Sequence, residues 1–129
     1  MFEKLDIKPE KENTILLTGI AYFGNFILPI LAPIIIYLIS KEDKYARFHA
    51  VQSLCILLFT HLPLVILFVI LMATSVTWEQ NTMFLFTISY AFVALIINLI
   101  FLIFGILAVL GKTIRVPYPF MTDFILRFV

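Results

Sequence analysis

Three stretches without a charged residue constrain this chain more than anything else in it: 15–39, 48–76 and 83–110, of 25, 29 and 28 residues. A bilayer core needs about 20 residues of helix to cross it, so each stretch is long enough. All nine Lys or Arg and all eight Asp or Glu lie outside them, in patches at 3–12, 41–47, 79 and 112–127. Soluble domains carry roughly 25% charged residues. Here the figure is 13%, and 63% of the chain is apolar. A soluble domain of this size leaves about a third of its surface in water, and too little polar material is present to cover it. Composition therefore excludes a soluble globular domain, a disordered chain and a disulfide scaffold. It predicts an all-α integral membrane protein of the cell membrane.

Backbone groups in lipid must bond within their own segment, which favours helices. The alternating ten-residue strands of a barrel are absent, as are internal repeats and linkers. The expected organisation is a polar tail over 1–14, a helical membrane domain over 15–110 and a C-terminal tail over 111–129. The tail over 1–14 mixes Lys with Asp and Glu and leads into a long apolar stretch, unlike a cleavable signal peptide. The single Cys55 has no partner for a disulfide within the chain and reads as a buried thiol. A net charge of +1 offers no field for nucleic acid.

The first segment carries Pro29 and Pro33, and proline removes a helix hydrogen bond. A bend or break near them is expected, loosened further by Gly24 and Asn25. Two topologies follow. A kinked crossing gives three membrane-spanning helices, with termini on opposite sides. A re-entrant turn gives two half-helices, about 15–27 and 30–39, with both termini on one side. Cytoplasmic flanks are enriched in Lys and Arg. The re-entrant form places all nine on one side and none in the 76–83 loop, so it is favoured. Both forms place the first charged loop and the C-terminal tail in the cytoplasm.

The stretch 40–53 is the most informative. Ser40 or Asp43 is suited to cap a helix that enters the membrane near Phe48. Along it His49, Ser53, Ile56 and Thr60 share a face, with Gln52 beside them. One reading is a polar seam facing a cavity or partner. The other has Arg47, His49 and Gln52 bonding lipid phosphate or a loop carbonyl at the interface. His61, just ahead of Pro63, is expected to bond the carbonyl that the proline frees near Phe59, with a proton relay inside the apolar run as the alternative. In the third segment Thr87, Ala91, Ala94, Asn98 and Gly105 recur on one face. Small residues let helices approach closely, so this is expected to be an intramolecular packing face, with a homo-oligomer seam as the sharper alternative. In the C-terminal tail, 120–129 has an apolar half opposite Asp123 and Arg127, the pattern of a short amphipathic helix at the interface. No hydrolase, metalloprotease or phosphate-loop motif is present. Neither catalytic residues, nor a metal site, nor a cofactor is assigned.

The run Arg47-Phe48-His49-Ala50-Val51-Gln52-Ser53 resembles the Arg-Phe-(His/Asn)-x-x-Gln-Ala signature of a family of small membrane proteins. That family includes bacterial and archaeal proteins of unassigned function, magnetosome MamF-like proteins and the twenty-kilodalton subunit of the chloroplast inner-envelope translocon (Tic). The close of the chain, Gly111-Lys112 with Arg115 and Tyr118-Pro119, is similar to the family's ending. Ser53 replaces the usual Ala, Lys112 replaces a frequent acidic residue, and Val116-Pro117 intrudes. The resemblance spans about 15–129. It implies a non-enzymatic scaffold or pore-like part of a membrane assembly, in protein transport or membrane-compartment organisation. A small-solute channel or transporter acting as an oligomer is the alternative. Expected partners are membrane lipids, a protein of the same complex or further copies of the chain. Arg47, His49, Gln52, Arg115 and Tyr118 are the candidate partner- or lipid-binding residues.

Overall fold

The structure, a computed structural model, describes residues 7–9, 12–114 and 119–129. Its helices are α1 (Glu12–Phe23), α2 (Leu31–Ile39), α3 (Lys44–Ile56), α4 (Leu62–Thr74), α5 (Gln80–Val109) and α6 (Pro119–Leu126). A π turn at Leu57–His61 joins α3 to α4, and 3-10 turns cover Gly24–Phe26 and Ser75–Thr77. Two continuous helices, Lys44–Thr77 and Gln80–Val109, are long and apolar enough to cross a membrane.

The first apolar segment is not a third such helix. At 1.5 Å per residue α1 and α2 are about 18 and 14 Å long, well short of a hydrocarbon core of about 30 Å. They run back along each other. Thr14, at the start of α1, donates a hydrogen bond to Asp43, just past the end of α2. Ala21 and Ile36 share an apolar cluster with Ala50. A Cβ on Gly24 would lie 2.8 Å from the Ala32 Cβ, so only glycine lets the two strands of the hairpin meet there.

The break also falls earlier than the prolines suggest. It occupies 24–30, with Pro29 in the turn and Pro33 inside the first turn of α2. That first turn has N–H groups with no intrahelical acceptor, so a proline there loses nothing. What stops α1 is Asn25, whose Oδ1 accepts from the Ile30 N–H at 3.1 Å. Ile30 then forms the centre of a γ-turn, with φ 70° and the Leu31 N–H bonded to the Pro29 carbonyl at 2.8 Å. This mirror form of the γ-turn is rare and strained.

Within the second segment the π turn absorbs Pro63. The ring cannot donate and crowds the carbonyl one turn back. One extra residue in the turn relieves both problems, and the Leu62 N–H reaches the Leu57 carbonyl. His61 accordingly does not serve the Phe59 carbonyl. Its Nδ1 lies 3.1 Å from the Thr60 hydroxyl, which itself donates to the Ile56 carbonyl.

The core joins α1, α3, the C-terminal part of α5 and α6 through Tyr22, Phe48, Phe101, Phe104, Met121 and Ile125. Gly105 sets the spacing of α1 and α5, since a Cβ there would lie 3.1 Å from the Tyr22 Cβ. Gly111, at φ 71°, closes α5, with the Lys112 N–H bonded to the Leu107 carbonyl at 2.9 Å. This is a Schellman ending. The expected packing face on α5 is realised only here. Gly105 is buried, Ala94 and Asn98 are half-buried, and Thr87 and Ala91 are exposed. The reason is length, because the short hairpin covers only the C-terminal half of α5. The other half meets α4 through the rings of Phe68 and Tyr90, centred 4.5 Å apart, and beyond the end of α4 the Trp78 ring is centred 5.7 Å from that of Phe86. No residue of α4 is buried.

The C-terminal amphipathic helix is present as α6, but its apolar half divides. Met121 and Ile125 enter the core, whereas Phe120 and Phe124 point outward.

Candidate functional site

Helix α3 starts where the sequence places a cap. Asp43 is the N-cap, and its Oδ1 accepts from the Ala46 N–H at 3.0 Å. Its other carboxylate oxygen holds Thr14. One short side chain thereby ties the entrance of α3 to the entrance of α1. Two residues further, the Tyr45 hydroxyl donates to the Ala108 carbonyl at 2.6 Å and ties α3 to the end of α5.

From this entrance the polar side chains of α3 diverge. Arg47 points towards α2 and the C-terminal tail. Its Nη2 donates to the Tyr37 hydroxyl at 2.7 Å and to the Phe128 carbonyl at 2.8 Å, and its Nη1 reaches the Lys41 carbonyl at 3.3 Å. The guanidinium also stands 4.7 Å from the centre of the Tyr37 ring, a cation–π distance. Neither Asp43, four residues before it, nor Asp123 is among its bonds.

His49, Gln52 and Ser53 point the other way, into α1, and all three are buried. Gln52 is the hub. Its Nε2 donates to the Ile114 carbonyl at 3.1 Å and its Oε1 accepts from the Tyr22 hydroxyl at 2.6 Å. The Tyr22 oxygen lies 3.2 Å from His49 Nδ1. One turn deeper, the Ser53 hydroxyl donates to the Ala21 carbonyl at 2.6 Å, and Asn25 Nδ2 donates to Ser53 Oγ at 2.7 Å. The polar seam read from the sequence thus faces protein and is covered by α1 and the turn after it. His49 Nε2 is buried without a partner among the described residues.

The structure therefore separates Arg47 from His49 and Gln52, which the sequence groups together. Both branches still reach the C-terminal region, at Phe128 and Ile114. Arg115 and Tyr118 lie outside the described residues. Of the packing candidates, Asn98 turns its amide back to its own helix, onto the Ala94 carbonyl at 2.8 Å. Tyr22, Tyr37 and Tyr45 belong to the site without standing out in the sequence, and Asn25 stands out there only as loosening the first segment. The available signal was polar groups inside or flanking an apolar segment, with Tyr22 and Asn25 three apart on one face of the first.

Chemically, the arrangement is a set of paired donors and acceptors that fix helices to one another. Among the described residues no three His, Cys, Asp or Glu side chains converge as metal ligands would. A family model described as the magnetosome magnetite crystal formation protein family matches residues 10–129. Neither the curated proteins nor the solved structures provide a significant match.

Proposed function

This chain belongs to the magnetosome magnetite crystal formation protein family, and from that premise we propose that it is a non-enzymatic scaffold subunit of a membrane assembly. One contrast carries the reading. The buried polar groups at the α1–α3 junction are spent almost entirely on bonds to one another and to backbone, whereas α4 buries no residue at all. The first feature makes a rigid head. The second leaves a long apolar surface for lipid, copies of the chain or a partner. Of the two settings implied by the resemblance, the matched family favours membrane-compartment organisation over protein transport.

In this reading Lys44–Thr77 and Gln80–Val109 are the two crossings, and α1 and α2 dip in from the side on which α3 begins. That side is cytoplasmic, because Lys41, Lys44, Arg47, Lys112 and Arg127 belong to it and the turn around Glu79 has no Lys or Arg.

The test is purification in mild detergent with a photo-crosslinking residue at Ala91, which is exposed on α5. A defined cross-linked species, either a second copy or one co-purifying protein, is the expected result. A chain that stays monomeric and uncrosslinked in its native membrane overturns the scaffold. Solute flux through liposomes holding only this chain would instead favour the channel.

A further inference from the structure

We propose that the apolar groove between α2, α3 and α6 holds an acyl chain of an anionic membrane lipid, with the lipid's headgroup on the basic lip at one end. The inference rests on the membrane reading above and adds a ligand class that the reading leaves open.

The groove has a volume of about 350 Å³ and an apolar lining. Ile34 and Tyr37 form one wall, Val51, Leu54 and Leu58 the floor, and Phe124 and Phe128 the other wall. Val51 and Leu54 lie on one face of α3, and Leu58 continues it into the π turn. Extending that face towards the helix start leads to Arg47, four residues before Val51, and then to Lys44. The α2 wall ends the same way, since Lys41 follows Tyr37 by four residues. On the third wall the Phe128 carbonyl lies at this end. The α2 and α3 walls of the groove thus reach cations at the same end. That these ends coincide is shown by Arg47, which bonds Tyr37, the Lys41 carbonyl and the Phe128 carbonyl together.

Among the described residues, no acid bonds Arg47 at the centre of this lip. All three hydrogen-bond partners of Arg47 are neutral, and its Nε is buried without a partner among the described residues. Asp43, the nearest acid in sequence, has both oxygens engaged elsewhere. Glu42 is exposed, as are Lys41 and Lys44, which with Arg47 outnumber Glu42 and Asp43 at this end. An apolar slot in a bilayer takes an acyl chain, and a positive lip selects a negative headgroup. A parallel second copy fits less well, because it would bring the same basic end to the same place.

The test uses the full chain with its only tryptophan moved. One reporter combines Trp78→Phe with Phe124→Trp in the groove. The reference combines Trp78→Phe with Phe92→Trp, on an exposed position of α5. Both are reconstituted into phosphatidylcholine vesicles with rising fractions of phosphatidylglycerol brominated on its acyl chains. Half-quenching of the groove reporter is expected at a phosphatidylglycerol fraction about fivefold lower than for the reference. Brominated phosphatidylcholine should show no such preference. Arg47→Gln, and independently Lys41→Gln with Lys44→Gln, should bring the two curves together, and so should high salt.

Coincident curves in the parent reporters overturn the proposal. So does a groove reporter less quenched than the reference by both lipids, which would show that protein covers the groove. A reference that bulk brominated lipid fails to quench would instead overturn the membrane reading itself.

Discussion

At the scale of single residues, the Gln52 hub fixes more than position. The Ile114 carbonyl can only accept, so the Gln52 nitrogen must face it and the Gln52 oxygen must face Tyr22. Tyr22 has one hydroxyl proton and gives it to that oxygen. His49 Nδ1 must then be the protonated nitrogen, leaving a bare lone pair on the buried Nε2. Tyr22→Phe would strand the Gln52 oxygen and the His49 N–H together. A stability loss of about 1–3 kcal/mol is expected, by the cost of leaving buried polar groups unpaired. His49→Leu removes one bond but also removes the orphaned nitrogen, so it should cost less. Asn98→Leu should lie within about 0.5 kcal/mol of the parent, because its amide serves only its own helix. Unfolding titrations in mixed detergent micelles would rank the three, and Asn98→Leu as the most damaging would refute the assignment.

At the scale of elements, two backbone positions should respond in opposite directions to small changes. Ile30 is a β-branched residue held at φ 70°, a conformation that costs about 1–3 kcal/mol. Ile30→Gly keeps the N–H that bonds Asn25 and removes the clash of the side chain. It should stabilise the hairpin by about 1 kcal/mol, seen as slower proteolysis at 24–30 and a higher unfolding midpoint. Gly105→Ala should do the reverse. On an exposed helix this change gains up to about 1 kcal/mol. Here the new methyl meets the Tyr22 Cβ and the Phe23 ring at 3.1 Å, and overpacking typically costs about 1–3 kcal/mol. Ile30 does not announce itself in the sequence, whereas Gly105 is legible there as a small residue on a packing face. Pro29 and Pro33 were legible as a break, but which residues would carry it depended on Asn25 finding Ser53, 28 residues away. The cap at Asp43 was legible because its bond to Ala46 is local. The π turn was legible only as trouble at Pro63, since several backbone adjustments relieve a proline equally well.

At the scale of the whole molecule, charge distribution was the most readable feature and helix contact the least. The long apolar segments and their limits follow from composition, and both long helices lie within a few residues of them. The α5 face was misjudged in extent because a sequence does not state how far a neighbouring hairpin reaches. Topology is the next quantity to measure. Asn13 and Thr82 are both exposed and lie near opposite ends of the helical body. In a Cys55→Ala background, Asn13→Cys and Thr82→Cys should react with impermeant maleimide from opposite sides of the membrane. Labelling of both from one side would refute the re-entrant arrangement. That arrangement also has a mechanical consequence. In the proposed arrangement, with α1 and α2 confined to one end, four helices would cross one leaflet and two the other, giving the outline of a wedge. Such a shape takes up unequal area in the two monolayers, and a bilayer relieves that inequality by bending around the broader side. Gathered in number, chains of this form would settle where the cytoplasmic monolayer is convex, as on the outside of a small internal vesicle.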